Sequence, residues 1–241
     1  ELSCIDCPRG KYNFYTGQKE PGDCVRCKAG TWSSNVGAGS DSACIPCGPG
    51  RYNREAGSST ITSCTECAEG KFNVNVGSTM ANDCKPCTEG TYQSNTGSTY
   101  CLPCYPGKFN SQAGERACLP CPIGQYTNAI KQTQCKSCPK GKHGKESTQT
   151  LCFDCLPGQY SSTEKASACN GCSAGRYQTN PGQTYCNISQ SDQVVGRGGS
   201  SVIAIAKGWY ATNVPHNSTL DPSLPCPPGT KGEIPPSRQC I

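Results

Sequence analysis

Cys44-Ile45-Pro46-Cys47-Gly48-Pro49-Gly50-Arg51-Tyr52 decides the fold, because the chain writes variants of this stretch ten times. Twenty of the 23 cysteines fall into ten Cys-x-x-Cys pairs. The pairs begin at Cys4, Cys24, Cys44, Cys64 and Cys84 in 20-residue steps, then at Cys101, Cys118, Cys135, Cys152 and Cys169 in 17-residue steps. A glycine stands three residues after the second cysteine in all ten repeats. An aromatic stands five after it in nine: Tyr12, Trp32, Tyr52, Phe72, Tyr92, Phe109, Tyr126, Tyr160 and Tyr177, with His143 in the remaining repeat. A second glycine lies ten after it in seven: Gly17, Gly37, Gly57, Gly77, Gly97, Gly114 and Gly182. Repetition of one covalent device at a fixed period is the mark of an array.

Each repeat reads as a small hairpin. The first glycine, often beside proline, permits a turn with positive φ. The aromatic begins a short extended stretch, the second glycine marks the next turn, and the chain returns to the following cysteine pair. One ring and one bridge cannot stabilise a repeat alone, so neighbours must stack, rings against adjacent bridges. The change of period falls in the return loop. Six residues separate Gly17 from Cys24, but only three separate Gly97 from Cys101 or Gly114 from Cys118. The same hairpin with a tighter loop is expected beyond Cys87.

Composition agrees with this architecture. Leu, Ile, Val and Phe make up 29 of 241 residues, about 12%, too few for one ordinary core. With 23 Cys, 28 Gly and 19 Pro, the chain has the makeup of a disulfide scaffold. A bridge closing a loop of roughly 15 residues contributes about 3 kcal/mol in the chain-entropy model. The fold class is therefore small disulfide-rich repeats, an elongated rod of tandem short β-hairpin units with little helix.

The ends of the array constrain the pairing. Cys186 sits where an eleventh pair should start, yet residue 189 is Ser. The simplest scheme joins the second cysteine of each pair to the first of the next. It gives Cys7–Cys24, Cys27–Cys44, Cys47–Cys64, Cys67–Cys84, Cys87–Cys101, Cys104–Cys118, Cys121–Cys135, Cys138–Cys152, Cys155–Cys169 and Cys172–Cys186. Cys226 and Cys240 repeat the 14-residue step and form a further pair. Cys4 is left over, with its partner either upstream in a longer chain or in another chain. A rival scheme bridges two repeats at a time (Cys4–Cys24 with Cys7–Cys27, and onward) and strands three cysteines at the C-terminal end.

Four segments follow. Residues 1–100 carry the 20-residue repeats and 101–186 the 17-residue repeats. Residues 187–225 form a cysteine-free, β-containing insert with the strand-like run Val202 to Ala206, and 226–241 begin another cysteine-rich unit.

The text Cys-x-x-Cys-Pro-x-Gly-x-Tyr, a later Gly, then Cys-x-x-Cys resembles the ephrin-receptor-like cysteine-rich repeat, which is itself similar to tumour-necrosis-factor-receptor and EGF-like modules. The resemblance covers about residues 4 to 186 and resumes at Cys226 to Cys240. It implies an elongated disulfide-linked rod of the kind found in receptor ectodomains and large extracellular proteins. The long uniform array departs from the receptor pattern and favours a spacer or filament role over a single ligand pocket.

Disulfides at this density belong to oxidising surroundings, so a secreted or cell-surface glycoprotein is expected. Two sequons, Asn187-Ile188-Ser189 and Asn217-Ser218-Thr219, predict N-linked glycan at Asn187 and Asn217. The longest apolar run is five residues, against about 20 for a membrane span, so no direct membrane insertion is expected. The net charge of +5 is too dispersed to argue for nucleic acid. Glu1-Leu2-Ser3 is no signal peptide, which points to a mature form or an excised piece.

Cys-x-x-Cys pairs 16 residues apart match four-cysteine zinc sites, but every gap is 16 and then every gap is 13, so no boundary between sites alternates. A thioredoxin-like role needs a βαβ context that is missing. A basic residue precedes the aromatic in six repeats: Lys11, Arg51, Lys71, Lys108, Lys142 and Arg176. Strand alternation puts this row on the solvated face, where it could bind an anionic polysaccharide. His143 reads as an aromatic substitute and His216 as a surface residue. No catalytic motif and no cofactor signature appears, so the chain is read as a non-enzyme without cofactor. Its partners would be other protein chains, copies of itself or further domains of the same chain. The alternative is a receptor-type ectodomain binding a protein or polysaccharide ligand.

Overall fold

The computed structural model describes residues 5–15, 17, 20–190, 192–204, 209–211 and 223–225. It comprises two units: Glu1–Leu119 with Ala129–Gln134, and Pro120–Asn128 with Cys135–Ile241. Among the described residues helix is confined to 3-10 turns, and the strands pair as two-stranded antiparallel hairpins. No helix among them is long and apolar enough to cross a membrane.

Each repeat contributes one hairpin. The residue before the aromatic and the aromatic itself form the first strand; the two residues between the cysteines of the next pair form the second. Arg51 and Tyr52 thus pair with Glu66 and Thr65, and Lys142 and His143 with Asp154 and Phe153. The ring therefore ends the extended stretch instead of opening it, because the bridge flanking the second strand limits pairing to two residues.

The 20-residue repeats hold a 3-10 turn immediately before the returning cysteine: Pro21–Asp23, Asp41–Ala43, Ile61–Ser63 and Ala81–Asp83. The 17-residue repeats lack it. The three missing residues are one turn of 3-10 helix, which spans three residues, and the hairpin register survives their loss.

Neighbouring repeats are joined by the same backbone bonds along each unit. In the first unit the N–H of Gly30 donates to the Asn53 carbonyl, that of Cys47 to Gly30 and that of Gly57 to Cys27, each at 2.8 Å, and that of Ser33 to Ser58 at 3.0 Å. In the second unit Gly141 donates to Ser161, Cys155 to Gly141, Lys165 to Cys138 and Gly144 to Ala166, at 2.9–3.0 Å. Both backbone groups of Gly30 and of Gly141 are thereby used. The open side of such a glycine is used too. A Cβ on Gly50, whose φ is +75°, would lie 1.9 Å from the carbonyl oxygen of Gly97, two repeats further on.

Among the described residues the core contains no aliphatic cluster. Its buried apolar members are cysteines and Tyr12; Cys27, Cys67, Cys87, Cys104, Cys121, Cys138 and Cys155 are fully buried. Rings beyond Tyr12 are only half-buried. Polar residues directly after the ring fill the interior instead, including Ser33, Asn53, Asn73, Gln93, Asn110, Thr127, Ser161 and Gln178. Their side chains are satisfied. Asn53 Nδ2 donates to Thr31 O (3.1 Å) and Ser58 Oγ (2.8 Å), while its Oδ1 accepts from Glu55 N. Gln93 Nε2 donates to Tyr100 O at 2.8 Å, and its Oε1 accepts from Asn95 N.

The insert begins as a lid on the last repeat. Gln193–Val195 pairs with Val202–Ala204, and Gly199 O in the intervening turn accepts from Gln178 N at 2.8 Å. The carbonyl of Gly198 approaches Gly158 as that of Gly182 approaches Gly141. The backbone contacts of the stack thus continue past the last bridged repeat. Ile205 and Ala206, the end of the strand-like run, lie outside the described residues.

Lys131, Thr148 and Lys165 have φ near +60°. They stand ten residues after the second cysteine, at the glycine position of the other repeats, and their N–H groups make the same bond to the preceding repeat's cysteine carbonyl. Left-handed backbone costs an L-residue roughly 1–2 kcal/mol, and a β-branched side chain makes Thr148 the most strained. Thr148→Gly should raise stability by about 1 kcal/mol after the entropy glycine restores to the unfolded chain. Gly50→Ala should lower it by about 2 kcal/mol or more, since backbone cannot move aside. Guanidinium unfolding midpoints with all bridges intact check both.

Candidate functional site

The bridges themselves are the repeated chemical feature, and their position follows from the hairpin. Each closes the end of one hairpin, holding Cα atoms 5.5–5.8 Å apart. The ten pairs are Cys7–Cys24, Cys27–Cys44, Cys47–Cys64, Cys67–Cys84, Cys87–Cys101, Cys104–Cys118, Cys121–Cys135, Cys138–Cys152, Cys155–Cys169 and Cys172–Cys186. Second cysteine joins first cysteine of the next pair, not two repeats at a time. Sequence separation is 17 in the first four and 14 in the other six. Cys4, Cys226 and Cys240 lie outside the described residues, as do Asn217 and His216.

The two sulfurs of a bridge differ in access. The second cysteine is buried in every pair but the last, where Cys172 is half-buried, while the first is half-exposed in most repeats, including Cys24, Cys44, Cys118, Cys135, Cys152 and Cys169.

The basic row is broken by pairing. Arg51 Nη2 lies 2.6 Å from Glu66 Oε1, and Lys142 Nζ 2.9 Å from Asp154 Oδ1, each directly across its hairpin. Arg176 Nη1 donates to the Cys186 carbonyl at 3.4 Å. Arg51 and Lys142 thus share their charge with a carboxylate, which weakens the row as a surface for an anionic polysaccharide. Carboxylates stand at the cross-strand positions, where opposite charges attract. Around Arg176 a shallow hollow of about 160 Å³ is lined also by Tyr160, Ser173, Tyr185 and Cys186.

Asn187 is a half-buried strand residue paired with Tyr177. Ser189 takes the place of the absent second cysteine. Its N–H and hydroxyl both donate to the Gly175 carbonyl, at 3.0 and 2.9 Å. The sequon hydroxyl is therefore occupied once the hairpin has formed.

Two features escaped the sequence reading. One is the buried polar position after the ring, whose signal was present: a small polar residue at that offset in nine repeats, Gly144 in the tenth. The other is the setting of His143, whose Nδ1 lies 3.2 Å from Cys169 Sγ.

Among known families, Tyrosine-protein kinase ephrin type A/B receptor-like matches residues 14–64 and 107–150. The matched segments and the repeats between them share one bridge pattern, and in this the array is similar to ephrin-receptor-like cysteine-rich repeats. No curated protein matches the chain.

Because Ser189 and Asn187 are engaged in the closed hairpin, glycan should be added to Asn187 only before Cys172–Cys186 forms. Cys186→Ser should raise glycan occupancy at Asn187 in a secretory host, measured by peptide mass spectrometry before and after N-glycosidase.

Proposed function

We propose that this array of ephrin-receptor-like cysteine-rich repeats is an extracellular structural or interaction protein, a stiff spacer or building block of a cell-surface layer or filament. The observation that carries the reading is the sameness of the junctions. Each uses one bridge and a recurring set of backbone hydrogen bonds within its unit. Such a chain resists bending because rotation at any junction would break several bonds together, and each unsatisfied buried group costs about 1–3 kcal/mol. Bridge density also supports an extracellular or cell-surface setting. Partners on this reading are other protein chains, copies of itself or further domains of the same chain. Glycan sits on the surface, and no catalytic role is assigned.

The receptor-type alternative draws on the family's receptor-like description and on the hollow around Arg176, where two tyrosines and a guanidinium could contact a ligand. Small-angle scattering of the natively bridged chain tests the first reading. A globular chain of this length has a radius of gyration of about 18 Å. The expected value is well above that; a value near it would remove the spacer role and leave the receptor reading.

A further inference from the structure

Histidine replaces the larger aromatic in one repeat, and there alone among the ten does an imidazole stand at that position. His143 Nδ1 is 3.2 Å from Cys169 Sγ. The imidazole nitrogen and the sulfurs of Cys155 and Cys169 all lie within 4.8 Å of one another. The two cysteines form one bridge. A bridged sulfur carries no proton, so the contact is attractive only in the form where Nδ1 bears the hydrogen and donates it. The surroundings supply no competing unpaired charge: Phe153 packs beside the imidazole with centroids 6.2 Å apart, and Lys142 is paired with Asp154.

This places a hydrogen-bond donor beside a bond whose cleavage creates negative charge. Attack by an external thiolate must come at the half-exposed Cys169, because Cys155 is fully buried. Cys155 then leaves as a thiolate in a dry setting, where an unassisted charge is costly. The imidazole nitrogen, which contacts Cys169 Sγ and lies within 4.8 Å of the Cys155 sulfur, offsets that cost once the bond opens and the freed thiolate can turn to it. Access does not distinguish this bridge, since Cys118, Cys135 and Cys152 are similarly half-exposed. The imidazole does.

We propose that Cys155–Cys169 is the thiol-labile bridge of the array, and that its reduced form is a His143–Cys155–Cys169 site for a soft d10 cation such as Zn²⁺. The reductant is a dithiol. Its first thiolate attacks Cys169 Sγ, forming a mixed disulfide and releasing Cys155 thiolate. Its second thiolate then attacks the reagent's own sulfur in that mixed disulfide, closing a cyclic disulfide and releasing Cys169 thiolate. Two electrons pass from dithiol to protein, and the two protons go to solvent or to the new thiols. One imidazole nitrogen and two thiolates are a three-ligand set for zinc, with a fourth position left for water.

The test uses the intact chain exposed to limiting dithiothreitol, quenched with iodoacetamide and mapped cysteine by cysteine. Cys155 and Cys169 should become alkylated at least about tenfold faster than Cys138 and Cys152, the scale of a charge-assisted hydrogen bond. His143→Tyr restores the residue of neighbouring repeats and should bring the rate down to theirs. The partly reduced chain should bind one Cd²⁺ with a thiolate-to-metal absorption band, and bound Cd²⁺ or Zn²⁺ should shield both cysteines from iodoacetamide. Uniform labelling in the unsubstituted chain, an unchanged rate in His143→Tyr, or absence of the Cd²⁺ band would each overturn the proposal. The first and third need no variant to fold.

Discussion

Closed backbone around a buried sulfur is the constraint on which the rest depends. In the interior repeats, as at Cys27, Cys47, Cys67 and Cys155, the second cysteine is enclosed because its own N–H reaches the glycine carbonyl of the preceding repeat, while its carbonyl receives an N–H from the following one. That arrangement leaves no room beside the first glycine, where a Cβ on Gly50 would overlap the backbone of Gly97. Glycine is required there for space as much as for φ. Contact thus extends past the nearest neighbour to the repeat after it, which ties three successive repeats into one packing event.

The interior shows how a chain with so few aliphatic residues stays folded. Burying an amide without partners costs about 1–3 kcal/mol, but a satisfied one is close to neutral. Asn53 and Asn73 meet that condition with their own loop, each bonding a serine five residues on and the N–H two residues on. The polar residue thereby shapes the turn that carries the second glycine. Bridges limit the entropy of the unfolded chain, and the amides specify the loop. Neither task needs a large apolar side chain.

Local strain is tolerated where this network over-determines the backbone. Lys131, Thr148 and Lys165 keep the left-handed conformation because the hydrogen bond to the cysteine carbonyl holds them there. The shorter period is absorbed with equal economy. Removing a 3-10 turn from the exposed return loop changes neither register nor bridge span, since Cα separations stay between 5.5 and 5.8 Å across both periods.

Much of this was legible in the residues. Cysteine spacing and Cys186, a first cysteine with no second three residues on, specified a junction that bridges consecutive pairs, and glycines at fixed offsets marked both turns. Periodicity carries that information because a covalent bond of fixed reach repeats only if the chain between its ends repeats. Burial was not legible in the same way. The rings drew attention, yet the enclosed residue is the polar one beside each ring, since enclosure depends on which side the next two repeats lie. The pairing of Arg51 with Glu66 and the approach of His143 to Cys169 are likewise cross-repeat events. The sequence by itself determined the hairpin, its turns and its staples, all of which are contacts within about 20 residues. Only the tertiary structure decided what fills the interior and which charges survive on the surface, because those depend on distances between residues that share no local pattern.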